Sequence, residues 1–396
     1  MKTIAWLAVC AVLVGPGSSA GEEMRTGGIR MIPVTTPKGT FRVWTKRVGD
    51  NPTLKVLLLH GGPAATHEYF EAFDSFLPQA GVEYYYYDQL GSAYSDQPDL
   101  PELWETARFV EEVEQVRQAL GLGKDNFVLL GHSWGGILAI EYALKYQQHL
   151  KGLVISNMMA SIPAYNDYAR RVLMPAMDQP ALAEIQRLEA AGRYEDPRYM
   201  ELLMPHHYEK HILRLPADRW PEPVSRSFKH LNAKIYVPMQ GPSELGASGK
   251  LDRWDRTADL GRITVPTLVI GARHDTMDPA HMEKMSKQLP NGRYLFLPEG
   301  SHMAMYDDQQ AYFAGLVRFL REVDGRAPGD FEAMLARVDA AQLELQNGRA
   351  AAFKALWSRA DDVTLSGGFG GTVEKGWAAI DRRLDWVATQ FANGTH

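Results

Sequence analysis

The sequence is poor in cysteine, in long apolar runs and in excess positive charge, and each shortage removes a class of protein. One cysteine, Cys10, is present among 396 residues, which excludes an internal disulfide and any cysteine-built metal site. The longest apolar run near the N-terminus, Ile4 to Val14, falls short of the roughly 20 residues that cross a bilayer as a helix. Lys+Arg 42 against Asp+Glu 48 leaves a net charge of −6, so there is no basic field to condense on nucleic acid or an anionic membrane. Hydrophobic residues at 45% and charged residues at 23% are ordinary globular values and exclude disordered, collagen-like and coiled-coil chains. At about 150 residues per domain, the length asks for more than one module.

The first twenty residues read as an address. Lys2, the apolar stretch, Gly15-Pro16-Gly17 and the small residues Ser18-Ser19-Ala20 match the three regions of a secretory signal, with cleavage expected after Ala20. The competing readings are a transmembrane anchor, a lipoprotein signal through Leu7-Ala8-Val9-Cys10, and an uncleaved or cytosolic chain. A secreted or periplasmic protein is expected, with no stable membrane insertion once the signal is removed. The mature chain then has no cysteine and is indifferent to redox conditions.

From Thr40 to about Asp324 short apolar runs alternate with amphipathic stretches, the pattern of a mostly parallel sheet with helices on both faces. Strands are expected at Leu54-Leu59, Glu83-Tyr87, Phe127-Leu130, Gly152-Ile155, Thr267-Ile270 and Tyr294-Leu297, and helices at Glu102-Leu120 and Ile137-Tyr146. Between about Ser161 and Ile263 the rhythm stops and helical periodicity takes over. An insertion of that length is too long for a loop and is expected to form a helical cap over the strand ends. Gly325 to Gly329 reads as a linker. Beyond it, a helix is expected over Asp330 to Ala360, with Ala333, Leu335, Val338, Ala341, Leu345 and Ala352 as its apolar stripe. A strand at Val363-Leu365 and a helix at Ala378-Val387 follow.

Gly131-His132-Ser133-Trp134-Gly135 matches G-x-S-x-G with a strand before it and a helix after it, the context that turns a serine into an exposed nucleophile. A sharp strand-to-helix turn crowds its neighbours, hence the glycines. Serine is a weak nucleophile and needs a base and an acid that orients it. Two strand ends supply them: Asp275 in Gly271-Ala272-Arg273-His274-Asp275 and His302 in Pro298-Glu299-Gly300-Ser301-His302. Asp278 competes for the acid's place, although Asp278-Pro279 also reads as a helix N-cap with proline at the first turn. His60-Gly61-Gly62-Pro63, after another strand, would set the N–H of Gly62 opposite that of Trp134 as an oxyanion hole, with His60 and Gly61 against the substrate.

Together with Tyr87-Asp88-Gln89-Leu90-Gly91-Ser92, Gly131 to Gly136 and Lys145 to Leu153, these segments resemble the proline iminopeptidase family of α/β-hydrolases, near its tricorn-interacting aminopeptidase branch, over roughly residues 30 to 322. The resemblance implies an α/β-hydrolase fold with an inserted helical cap. It also implies a cofactor-free serine exopeptidase that removes the N-terminal residue from short peptides or amino-acid amides. Gln240-Gly241-Pro242-Ser243-Glu244 is similar to the family segment whose glutamate holds the substrate ammonium, which assigns that role to Glu244. A second glutamate is expected directly after the triad aspartate, and here that position is Thr276. The loss weakens ammonium recognition unless Asp278 or Glu201 reaches in, and it leaves room for an amidase or esterase acting on substrates without a free amine. A catalytically silent ligand-binding protein is the reading from another class. Ala64, where the family usually has glycine, is expected to reshape the cavity wall.

Three further features have plainer readings. His206, His207 and His211 contain an i, i+4 pair suited to a metal, but cap packing explains them without one. Tyr84 to Tyr87 reads as a buried strand rather than a stacking platform. Asn393-Gly394-Thr395 fits a glycosylation sequon. In the tail, Ala355-Leu356-Trp357-Ser358, Asp361 to Leu365 and Arg383-Leu384-Asp385-Trp386 resemble the first part of a SnoaL-like domain, which implies a partial α+β cone-like segment without its full sheet. The sequence leaves the oligomeric state open.

Overall fold

Strands buried on both faces must be apolar throughout, and four short central runs satisfy this. In the computed structural model, which describes residues 28–325, 330–357, 359, 363–365 and 373–391, they form the middle of an eight-stranded sheet. The strands are β1 (Ile29–Thr36), β2 (Gly39–Val48), β3 (Lys55–Leu59), β4 (Glu83–Asp88), β5 (Phe127–His132), β6 (Gly152–Ser156), β7 (Thr267–Ala272) and β8 (Gly292–Leu297). They lie in the order β1-β2-β4-β3-β5-β6-β7-β8. The pairs β1/β2 and β2/β4 are antiparallel, and every other neighbouring pair is parallel. The signal segment with Cys10, residues 326–329 of the linker, Ser358, Asp361-Asp362 and the sequon lie outside the described residues.

The β1/β2 hairpin is absent from the sequence expectations, which begin at Thr40. Its strands are half buried, with Ile32, Val34 and Val43 turned inward, as suits the antiparallel edge of a sheet. The tyrosines of β4 are all buried and hydrogen-bond inward, Tyr86 to Asp74 at 2.6 Å and Tyr87 to Glu112. They are core, not a stacking platform. Helices Thr106–Ala119 and Trp134–Tyr146 cover the sheet, with Phe109, Val113, Ile137 and Ile140 in the core. The parallel strands β3, β5, β6, β7 and β8 release the chain at one edge, where open α/β sheets bind their ligands. His60, Ser133, Asn157, Asp275 and His302 all stand just past those ends.

Residues 161–263 form the inserted helical layer, with helices Ile162–Tyr168, Gln179–Ala190, Pro197–Leu203, Glu222–Lys229 and Ala233–Met239. Its strand-like pairing, among the described residues, is the isolated bridge Ser161 to Asp255. Side chains cap these helices, Asp178 accepting from the Ala181 N–H at 2.9 Å and Asn232 from Lys234 at 3.2 Å.

The chain separates into two compact units, one through Gln309 and one from Gln310, so helix Gln309–Val323 groups with the second unit. That unit also contains helices Asp330–Gln346, Ala351–Lys354 and Trp377–Ala388, and two short strands that pair Leu365 with Glu374 and Thr364 with Lys375. The long helix expected through Ala360 stops early because Gly348 takes a φ of 82°, the left-handed conformation that ends helices. Leu345, Ala350 and Ala388 make a small core there.

Candidate active site

β5 runs straight into helix Trp134–Tyr146 through Ser133, whose φ of 56° and ψ of −127° are a strained geometry for a residue with a side chain, costing about 1–3 kcal/mol. The flanking glycines are required by contact: a Cβ on Gly131 would lie 1.9 Å from Gly135 O, and one on Gly135 would lie 2.0 Å from Leu59 O. Ser133 N–H donates to Ser156 O at 3.1 Å, which fixes the turn to β6. The hydroxyl faces a cavity of about 660 Å³ between sheet edge and cap.

His302 enters the same cavity from the loop after β8. Its Nδ1–H donates to Asp275 Oδ1 at 2.8 Å, which leaves Nε2 for the cavity side. Asp275 also accepts from Asn157 Nδ2 at 2.7 Å and from the Met277 N–H at 3.1 Å. Burial works against the Asp275 carboxylate, but His302 and these donors hold its pKa below the usual value. Burial likewise works against the His302 cation, and the charge and hydrogen bond of Asp275, helped by Glu244, outweigh it and raise the imidazole pKa. Asp278 is elsewhere: it caps helix Pro279–Gln288, accepting from Ala280 N–H at 2.9 Å. Ser133 and His302 share no hydrogen bond among the described residues. Among the described residues the hydroxyl has no partner, the looser geometry common to sites without substrate.

Gly61 and Gly62 line the cavity beside Ser133. The Gly61 N–H is occupied, donating to the Tyr69 hydroxyl at 2.7 Å, whereas the N–H groups of Gly62 and Trp134 have no protein acceptor among the described residues. A Cβ on Gly61 would lie 2.9 Å from Ser133 Cβ, so a side chain there would block the nucleophile. His60 does not contact the cavity, contrary to the sequence expectation. Its ring is wholly buried, with Nε2 accepting from the Gln89 N–H at 3.1 Å and Nδ1 2.9 Å from Gly61 O, and burial lowers its pKa to about 4. Gln89 in turn donates to His60 O and accepts from the Trp134 indole at 2.9 Å, tying both sides of the oxyanion region together.

Sequence reasoning missed several positioning residues. The Tyr69 hydroxyl lies 3.0 Å from His132 Nδ1, and His132 Nε2 reaches His302 O at 2.8 Å. This chain links the glycine loop to the histidine loop through the residue before the nucleophile. Burial lowers the His132 pKa to about 3, so the ring is neutral and can accept at one nitrogen while donating at the other. Asn157, with a φ of 53°, takes the left-handed region that asparagine tolerates; its place directly after β6 was the available signal.

Glu244 comes down from the cap to the same cavity. The Tyr236 hydroxyl donates to its Oε1 at 2.6 Å. Its backbone carbonyl accepts from Tyr165 at 2.6 Å and from His207 Nε2 at 3.0 Å. Burial pushes the carboxyl pKa up, against the opposing pull of His302 and Tyr236. The other proposed carboxylates do not join it. Glu201 is 63% exposed and pairs with Arg198, Asp278 is the helix cap described above, and Thr276 is buried with its hydroxyl donating to Asp275 at 3.3 Å. Glu195, which the sequence reading did not single out, lines the cavity from an exposed position. His211 Nδ1 is 2.9 Å from His274 O, so His207 holds cap backbone at Glu244 while His211 ties the cap to the loop after β7. Ala64 holds a φ of 61°, where glycine would be unstrained, but Ala65 rather than Ala64 lines the cavity.

A family described by the alpha/beta hydrolase fold matches residues 55–309. A proline iminopeptidase of Flavobacterium johnsoniae is 57% identical over 294 residues, covering 74% of this chain and 98% of that protein. One from Elizabethkingia meningoseptica is 56% identical over 299 residues, covering 75% and 99%. Among solved structures, the proline iminopeptidase of Mycobacterium smegmatis aligns with a TM-score of 0.66 at 28% identity, covering 75% of this chain and 98% of that one.

Proposed function

The chain belongs to the proline iminopeptidase family of α/β-hydrolases, and on that premise we propose how its cavity works. It is a serine exopeptidase that releases N-terminal proline from peptides. Glu244 receives the substrate's cationic nitrogen through charge-assisted hydrogen bonds, which sets the first carbonyl beside Ser133. The Ser133 oxygen attacks that carbon and its proton passes to His302 Nε2, while Nδ1–H stays on Asp275. The N–H groups of Gly62 and Trp134 meet the charge that develops on the carbonyl oxygen. The C–N bond then breaks, with His302 returning the proton to the departing amine. Water, deprotonated by the same imidazole, cleaves the acyl ester and frees the amino acid. The proton transfers close without a cofactor.

The observation that carries this reading is the half-buried Glu244 carboxylate, fixed by Tyr236 in the cavity that also holds Ser133 and His302. An enzyme for neutral acyl compounds has no use for a desolvated anion there. Thr276, a hydroxyl where the branch has a second carboxylate, supports the narrower alternative of an amidase or esterase on substrates without a free amine. Turnover of a prolyl arylamide should be lost in Ser133→Ala, and a fluorophosphonate should label Ser133 alone. Full turnover in that variant, or labelling elsewhere with Ser133 unmodified, would remove the assignment. The N-terminal segment supports export, and sequencing of the mature protein from Gly21 would establish cleavage after Ala20.

A further inference from the structure

The cavity has charge of both signs. Glu244 supplies a half-buried carboxylate, and Lys229 and Lys234 line the same cavity from exposed positions. Lys229 closes helix Glu222–Lys229 and has no ion-pair partner among the described residues. Lys234 pairs with Asp99 at 3.5 Å, the two side chains being 76% and 79% exposed, a bond that water weakens to almost nothing. Helix Ala233–Met239 carries both ends of the arrangement: Lys234 in its first turn, and Tyr236, whose hydroxyl holds Glu244. Among the described residues, the exposed part of the lining sets one carboxylate, Glu195, against these two cations, so this outer lining is net positive.

A free short peptide has the complementary pattern. At about 3.3–3.6 Å per residue, a di- or tripeptide separates its ammonium from its carboxylate by roughly 7–10 Å, and the cavity is far larger than a single prolyl residue needs. We propose that Lys229 and Lys234 form a carboxylate-binding pole on the leaving-group side, so that the preferred substrates are di- and tripeptides with a free C-terminus. The inference rests on the aminopeptidase reading, since it takes the ammonium end to lie at Glu244. Amidated peptides and arylamides would bind through one pole instead of two.

The test compares kcat/KM for a prolyl dipeptide and for the same dipeptide C-terminally amidated. The ratio within one protein cancels any general effect of a substitution. Exposed charges are screened over about 10 Å at 0.1 M salt, so the wild type should favour the free acid by about three- to tenfold at low ionic strength, and the preference should shrink as salt is added. Lys229→Gln with Lys234→Gln should bring the ratio close to one, and the corresponding double glutamate variant should reverse it. A wild-type ratio of one, or a ratio that survives both double variants, overturns the proposal. Failure of the underlying reading looks different: a dipeptide with its amine blocked would be cleaved as fast as the free one.

Discussion

Replacing Glu244 with glutamine removes one charge and almost no volume, and Tyr236 can still donate to the new amide oxygen in place of Oε1. What is lost is the ionic part of the contact with the substrate nitrogen. A hydrogen bond to a charged group is worth about 1.5–3 kcal/mol, and each 1.4 kcal/mol is about tenfold. Glu244→Gln should therefore cut kcat/KM for a prolyl arylamide by roughly ten- to a hundredfold, with a far smaller effect on a nitrophenyl ester that has no amine. A second readout separates this from local damage. Glu244 helps to raise the His302 pKa, and the imidazole works as a base only when neutral. In the wild type, activity should thus fall with decreasing pH through a value above that of an ordinary histidine. Without the Glu244 charge the cation is less stable, so the acid limb of ester hydrolysis should move to lower pH. Equal losses on both substrates with an unmoved acid limb would refute the role given to Glu244.

Asn157→Ala removes the 2.7 Å donor to Asp275 and should lower kcat by about tenfold while KM changes little; a rise in KM alone would show that Asn157 shapes binding instead. Gly135→Ala would press a Cβ to 2.0 Å from the backbone oxygen of Leu59. Overpacking against backbone costs about 1–3 kcal/mol or more, so thermal unfolding should show Tm lower by roughly 2–6 °C or more, and an unchanged Tm would contradict the packing described.

What could be read in advance divides along the range of the interactions. Ser133, Asp275 and His302 were legible because each follows an apolar strand closely, and the strands announce themselves by composition. Expected strand positions agreed with β3 to β8 to within two residues or so at each end. The β1/β2 hairpin was not seen, since Ile29–Thr36 alternates between exposed and buried positions and lacks the continuous apolar run that marked the others. Asn157 and His132 escaped notice because their partners, Asp275 and the His302 carbonyl, are far away in the chain, and locally only the place of Asn157 directly after β6 pointed to it. His60 was misplaced for a related reason: the backbone of its loop lines the cavity, but its ring turns inward to Gln89. Gly348 broke the tail helix because one left-handed residue outweighs a favourable stripe.

The central claim is that the cavity recognises a free amine and delivers the neighbouring carbonyl to Ser133. Its most direct test is the ratio of kcat/KM for a prolyl arylamide to that for the N-acetylprolyl arylamide. Acetylation removes the positive charge that Glu244 is placed to meet and leaves the scissile bond unchanged. The account predicts strong turnover of the free-amine compound and a loss of at least about a hundredfold on acetylation; equal turnover of the two would contradict it.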